Sequence, residues 1–347
     1  MMETTKKVKL NAGFINDYRA YIFLAAVLVA GLFANNFYTV FNFTSIFNSS
    51  ALYTFIGIGF TLCMIAGHMD LSVGYMATLG AIMVLGMHTL SGLPWAVSFI
   101  IAIGVGALFG LFNGVLVAKA KIHSFIATLG TQFVIKGIMN IYCNGAEISV
   151  KGDYGLTDAM AVTVPVLPFS VYFLITLATV VIFAVVLSKT RFGRNVYILG
   201  GNLETAWLAG IKSDKNTIVI FMLSGIVCGF GGALYAVYTG TATPTLGEKG
   251  IAPLMVALTA TIIGGTDING GKGSVVNTFI SILAIVAMFS VMTTIVGKFE
   301  MQILFIGIAL AFCVIYETLS KYNKQKTIGL RPNLYNEYKK ETGRQRI

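Results

Sequence analysis

Few side chains in this 347-residue chain have the type and spacing to do chemistry. Asp70 and Lys136 are the main ionisable groups in or beside the apolar stretches of the first half. His68, His88 and His123 stand far apart in sequence, and none forms the His-x-x-x-His pair that sets two metal ligands on one helix face. No metal is therefore expected, and each histidine reads most simply as a polar residue at a span end. No Ser/His/Asp set or carboxylate pair can be assembled, so no catalytic residue is expected. Gly270-Gly271-Lys272-Gly273-Ser274 looks superficially like a phosphate loop. Thr266, however, stands where that loop needs its first glycine, and Gly273 where it needs Ser or Thr after the lysine. Cys63, Cys143, Cys228 and Cys313 have neither disulfide nor metal-ligand spacing and read as buried free thiols.

What remains is three polar, glycine-bearing segments. In Gly67–Gly74 (GHMDLSVG), Asp70 fits an interrupted helix, either capping exposed N–H groups at the next helix start or touching substrate. In Thr190–Ile211 (TRFGRNVYILGGNLETAWLAGI), Asn202 can cap a short helix with Glu204 in its early turn. Ala206, Leu208 and Ala209 favour that helix, and Gly210 stops it. With its basic lead-in it suits docking onto another protein, or resting on lipid headgroups. In Ile263–Val275 (IGGTDINGGKGSV), five glycines around Asp267 and Lys272 make a tight turn, suited to close contact with a neighbour or simply to a sharp connection.

These segments must be positioned by apolar helices. Hydrophobic residues make up 56% of the chain and charged residues 11%. So few charges cannot cover a soluble protein of this size, and the 38 glycines suit membrane helices. The expected class is all-α, a polytopic membrane protein. A ruler of about 20 apolar residues gives ten spans, near 20–40, 51–66, 74–90, 94–118, 124–142, 166–188, 216–238, 253–265, 274–297 and 300–318. The run from Ala20 to Ala34 lacks a convincing cleavage site and reads as the first retained span. The domains are then a cytoplasmic segment 1–19, a membrane domain 20–318 with a cytoplasmic stretch 189–215, and a basic cytoplasmic tail 319–347.

Charge supports this layout. Residues 1–19 hold four bases against two acids and residues 319–347 eight against two, so the ends carry most of the net +10. Basic ends beside apolar spans stay in the cytoplasm and attract anionic lipid. The bases show no aromatic interleaving, which argues against nucleic acid. Lys119, Lys121, Lys189, Arg191, Arg194, Lys212 and Lys215 all fall in expected inside loops. The outside loop 143–165 carries Glu147, Asp153 and Asp158 with only Lys151. Gly106, Gly110 and Gly114 recur every four residues, as do Gly225 and Gly229, the spacing that lets two helix backbones approach closely.

The three segments in this order, with SFIATLGT at Ser124–Thr131, resemble the membrane-spanning permeases of bacterial ATP-binding-cassette importers for monosaccharides, of the ribose/galactose/xylose type. The likeness covers roughly residues 20–318. It implies a type II importer-like permease bundle in the bacterial cell membrane, with both termini cytoplasmic. It also implies a second permease subunit, the same or homologous, two cytoplasmic ATPase subunits that carry ATP and Mg, and an extracytoplasmic sugar-binding protein. No cofactor is implied on this chain. By the same likeness Arg191, Gly193, Asn195, Gly200, Gly201, Asn202, Glu204, Ala206 and Gly210 form the coupling segment, and Asp70, Leu71, Ser72 and Gly74 a signature at the core of the bundle. His68, Trp207 and Asn277 depart from the residues common in that family.

Asn113, Thr128 and Gln132 join Asp70 and Ser72 as substrate-pathway candidates, because uncharged hydrogen-bonding groups suit a neutral sugar. Bonding between helices is their alternative role. A nucleoside, inositol or a signalling sugar remain alternative cargoes. An ATP-independent carrier and an integral-membrane enzyme remain alternative classes.

Overall fold

The computed structural model describes residues 6–163, 168–247 and 252–327, and these are mostly helical. The charged tail beyond residue 327 lies outside the described residues. In order come α1 (Lys6–Gly31), α2 (Val40–Ile65), α3 (Val73–Leu85) with a π-helical turn Gly86–Leu90, α4 (Trp95–Ala118) and α5 (Ser124–Cys143). After strand β1 (Ile148–Ser149) follow α6 (Gly155–Ala161), α7 (Val171–Lys189), α8 (Arg191–Gly201), α9 (Leu203–Leu208) and α10 (Ser213–Thr239). Strand β2 (Thr241–Ala242) then precedes α11 (Pro253–Ile263), α12 (Val275–Val296) and α13 (Glu300–Thr327).

Each stretch expected to span holds one helix. Among the described residues, six of these helices are long and apolar enough to cross a membrane by length and composition: α2, α3 with its π turn, α4, α7, α10 and α12. Tyr18–Gly31, α11 and Glu300–Ile315 are shorter apolar helices. α1 begins at Lys6 and α13 runs on to Thr327, beyond the expected stretches, and two further boundaries differ from expectation. The first span ends at Gly31, because Asn35 and Asn36 occupy turns and Asn36 has φ 59°. The second begins at Val40 rather than near 51, with Thr39 accepting the N–H of Asn42 at 3.3 Å. Its early polar residues, which masked it as a span, bond across to other elements: Asn42 to Ser290 at 2.7 Å, and Asn48 to Ser170. Polar side chains facing neighbouring helices rather than lipid are tolerated in this way.

The bundle is organised around α10, which packs most extensively on α4, then on α3 and α2. The spaced glycines explain the closeness. A Cβ on Gly106 or on Gly225 would run into the other's carbonyl oxygen, one on Gly110 into Phe221 O, and one on Gly114 would lie 2.8 Å from Ile218 Cα. Gly104, on the same helix, has nothing within 4 Å. Gly106→Ala should therefore destabilise the fold by about 1–3 kcal/mol through overpacking. Gly104→Ala should stabilise it by roughly 0.5–1 kcal/mol by restricting the unfolded chain. Thermal unfolding in detergent reads the two opposite signs.

The ends of the bundle differ. At one, β1 and β2 pair antiparallel through Ile148↔Ala242 and Ser149↔Thr241. There His88 stacks on Trp95 with ring centroids 3.7 Å apart, and the Trp95 indole donates to Asp153 at 3.0 Å. The other end carries the α2–α3 break, α8, α9 and the turn between α11 and α12.

Candidate functional site

The polar centre grows out of the break between α2 and α3, where backbone groups lack helical partners and must find others. Gly67 turns the chain with φ +81°. Asp70 Oδ1 accepts the backbone N–H and the hydroxyl of Ser72, the residue just before α3. Its Oδ2 accepts the Ser224 hydroxyl of α10 at 3.3 Å. Asn113 on α4 donates its amide to Ser72 Oγ at 2.9 Å and accepts the Thr131 hydroxyl of α5 at 2.6 Å. Two further α5 side chains hold the break: Ser124 Oγ accepts the N–H of Met69 at 3.1 Å, and Thr128 Oγ1 that of Leu71 at 3.0 Å.

Asp70, Ser72, Asn113, Thr128 and Ser224 are all 0% exposed. Four of the five pathway candidates are thus brought together, with their polar atoms bonded to one another and to backbone inside one chain. Gln132, half-buried on α5, stands outside this network. Ser124 and Thr131 stood in the sequence only as the ends of the SFIATLGT motif, with no role assigned, and Ser224 was missed, since a lone hydroxyl in an apolar helix looks the same whether it faces a partner or bonds its own backbone.

The second segment begins where Thr190 caps α8 by accepting the N–H of Gly193 at 3.1 Å. Gly193, Val196 and Leu199 face inward, while Arg191 and Arg194 are exposed. Asn195 is half-buried on the same helix. The basic lead-in expected before the short helix is therefore a helix itself. Its low-propensity glycines hid it, and Gly193 is required because a Cβ there would strike the Leu187 carbonyl where α7 turns into α8. Asn202 Oδ1 then accepts the N–H groups of Glu204 (2.8 Å) and Thr205 (3.1 Å), which caps α9 as the sequence indicated. Gly210 ends the unit at φ +70°. Of the α9 residues only Ala206 is buried, at 0% exposure, whereas Leu203, Trp207 and Leu208 are 66%, 75% and 72% exposed.

Bases surround this end. Lys121 donates to Asp214 at 2.9 Å and Lys119 lies 3.5 Å from the same carboxylate, tying the loop after α4 to the start of α10. These lysines, Lys121 first, hold the Asp214 carboxyl below the ordinary carboxylate range. Among the described residues, no three His, Cys, Asp or Glu side chains group as a metal ion would need.

The third segment closes onto the other two. Asp267 organises the turn, its Oδ1 accepting the N–H of Asn269 at 2.9 Å and its carbonyl that of Gly270 at 3.0 Å. The Gly271 N–H then donates to the Ile65 carbonyl at 2.8 Å, and the Tyr197 hydroxyl of α8 donates to Gly273 O at 2.9 Å. Gly200 sits in the middle. A Cβ there would run into Ile65 O and approach Gly271 N to 2.7 Å, and one on Gly270 would lie 2.7 Å from Gly67 N. The three segments singled out in the sequence thus meet backbone to backbone at one end of the bundle. The turn between α11 and α12 is both a sharp connection and a close contact, and its neighbours belong to the same chain.

Residues 42–314 match the family model described as "Branched-chain amino acid transport system / permease component". The chain is similar to the ribose import permease protein RbsC of Bacillus subtilis (strain 168), at 31% identity over 75% of this chain and 79% of the relative. It is also similar to the autoinducer 2 import system permease protein LsrC of Yersinia pestis (strain Pestoides F), at 31% identity over 80% of this chain and 79% of the relative. The RbsC of Escherichia coli (strain K12) is 29% identical over 75% of this chain and 80% of its own length. No solved structure matches the chain at a significant level.

Proposed function

Since this chain belongs to the family of branched-chain amino acid transport system / permease components, we propose that it is the membrane subunit of an ATP-driven importer for a monosaccharide. The observation that carries the coupling is α9. A short capped helix showing water Leu203, Trp207 and Leu208, beside Arg191 and Arg194, is a docking surface for another protein. Its occupant is a cytoplasmic ATP-binding-cassette ATPase, which holds ATP and Mg. Asn202 and Glu204 belong to the cap and first turn of that surface, Ala206 anchors it, and Gly210 ends it. Arg191, Gly193, Asn195, Gly200 and Gly201 supply the seat beneath.

The α8–α9 end therefore faces the cytosol, as do both termini, in keeping with the bases gathered there. The β1–β2 end faces outward and receives cargo from an extracytoplasmic binding protein. The polar core of one chain is filled by its own hydrogen bonds, so cargo passes between this chain and a second permease subunit, the same or homologous. A monosaccharide suits the relatives named for ribose import, and the relative named for autoinducer 2 import makes a signalling sugar the second reading for cargo. Conformational drive needs only that nucleotide stabilise one arrangement of the bundle over the other.

A labelling experiment tests this reading. Cys63, Cys143 and Cys228 are buried and Cys313 half-buried, so Trp207→Cys in a Cys313→Ala background presents one accessible thiol among the described residues. A membrane-impermeant maleimide should label it in inverted vesicles but not in intact cells, and the bound ATPase should slow that labelling at least tenfold. Labelling from outside, or equal rates with and without the ATPase, contradicts the assignment.

A further inference from the structure

We propose that the α2–α3 break is a positioning relay, through which displacement of α8 and α9 is passed to the buried chain Asp70–Ser72–Asn113–Thr131 and so to α10, α4 and α5. The inference rests on reading α9 as the docking surface.

Its input is stiff. Gly200 meets the Ile65 carbonyl and the Gly271 amide with no side chain between them, and the Gly271–Ile65 hydrogen bond runs through the same contact. Tyr197 adds a second tie from α8 to Gly273. Packed backbone has no rotamers with which to absorb a shift. Movement of α8 must therefore either carry Ile65 with it or break these bonds.

Ile65 is the last residue of α2, and Asp70 follows five residues later across non-helical chain that turns at Gly67. The break is thus a hinge between two rods. Its output is fixed by side chains from three helices: Ser224 of α10 on Asp70, Asn113 of α4 on Ser72, and Ser124 and Thr128 of α5 on the backbone of Met69 and Leu71. Thr131 of α5 closes the set through Asn113. At 0% exposure, Asp70, Ser72 and Asn113 cannot exchange these partners for water, so the helices must follow the break or leave buried donors unmade. The three helices so joined include α4 and α10, whose packing forms the centre of the bundle.

Coupling between two sites is reciprocal, which supplies the test. Hydrogen–deuterium exchange is followed on the full chain in lipid nanodiscs, without ATPase or cargo. Thr131→Val, which removes the far end of the chain, should speed exchange over residues 198–208 at least twofold. Tyr197→Phe, which removes only the tie to Gly273, should speed exchange over residues 69–72 by a similar factor. Thr131→Ser keeps the hydroxyl and should restore the wild-type pattern, and residues 282–291 of α12 should be unchanged throughout. Changes confined to the helix carrying the substitution, or spread equally into 282–291 as in general loosening, overturn the relay. The failures are separable: the relay fails if exchange changes stay local even where ATP drives uptake, and the importer reading fails if ATP never drives uptake whatever the exchange pattern.

Discussion

Ala206→Asp should leave the protein inserted and folded while lowering ATP-driven uptake more than a hundredfold. Ala206 is the one buried residue of a six-residue helix whose Leu203, Trp207 and Leu208 face water. A carboxylate in its place would be shut away without a cation, at a cost of several kcal/mol. So short a helix, held by one asparagine cap and packed at one point, cannot absorb that cost and swings out of its seat, whereas the α4–α10 core is untouched. A hundredfold loss corresponds to about 2.7 kcal/mol of lost coupling. Two measurements check it: solute uptake by vesicles with ATP enclosed, and retention of the ATPase on the affinity-purified chain. Ala206→Ser, nearly the same size, should behave as wild type. Wild-type uptake by the aspartate variant would remove α9 as the coupling element.

Asp70→Ala should act on stability rather than on cargo recognition. The carboxylate accepts from the Ser72 N–H, the Ser72 hydroxyl and the Ser224 hydroxyl. Truncation leaves these donors buried without an acceptor, at about 1–3 kcal/mol each before they find substitutes. A net loss of roughly 2–4 kcal/mol follows once rotation of the hydroxyls is allowed for. Asp70→Asn keeps the shape and one carbonyl acceptor and should cost about half as much. Unfolding in a graded detergent mixture reads the series. If Asp70 instead serves cargo contact, the alanine variant keeps wild-type stability and changes only the KM for uptake.

Much of this was visible in the sequence for physical reasons. Glycines at 106, 110, 114, 225 and 229 point to a backbone-to-backbone contact because a four-residue spacing puts them on one helix face, where missing side chains let another backbone approach. Asn202 followed by Glu204 reads as a cap, because the pattern satisfies amide groups that nothing else nearby can reach. The three glycine-bearing segments stood out against an apolar background, yet their meeting did not. Gly67, Gly200 and Gly271 belong to parts of the chain joined only by folding, and no local pattern encodes which carbonyl a missing Cβ will face. The pairing of β1 with β2 was hidden for the same reason, being two residues long on each side. The start of α2 was lost because Asn42 and Asn48 read as loop until Ser290 and Ser170 are brought beside them. Local propensity marks the segments, and long-range packing decides their roles.

In the proposed reading the chain is a conduit without a motor of its own, driven through α9. Uptake of radiolabelled D-ribose by sealed proteoliposomes tests it most directly, with the chain assembled with its cognate ATPase and binding protein and with ATP enclosed beside the ATPase. Accumulation should require both partners and hydrolysable ATP and should stop with a non-hydrolysable analogue. Equal uptake by the chain alone, with or without ATP, would contradict it.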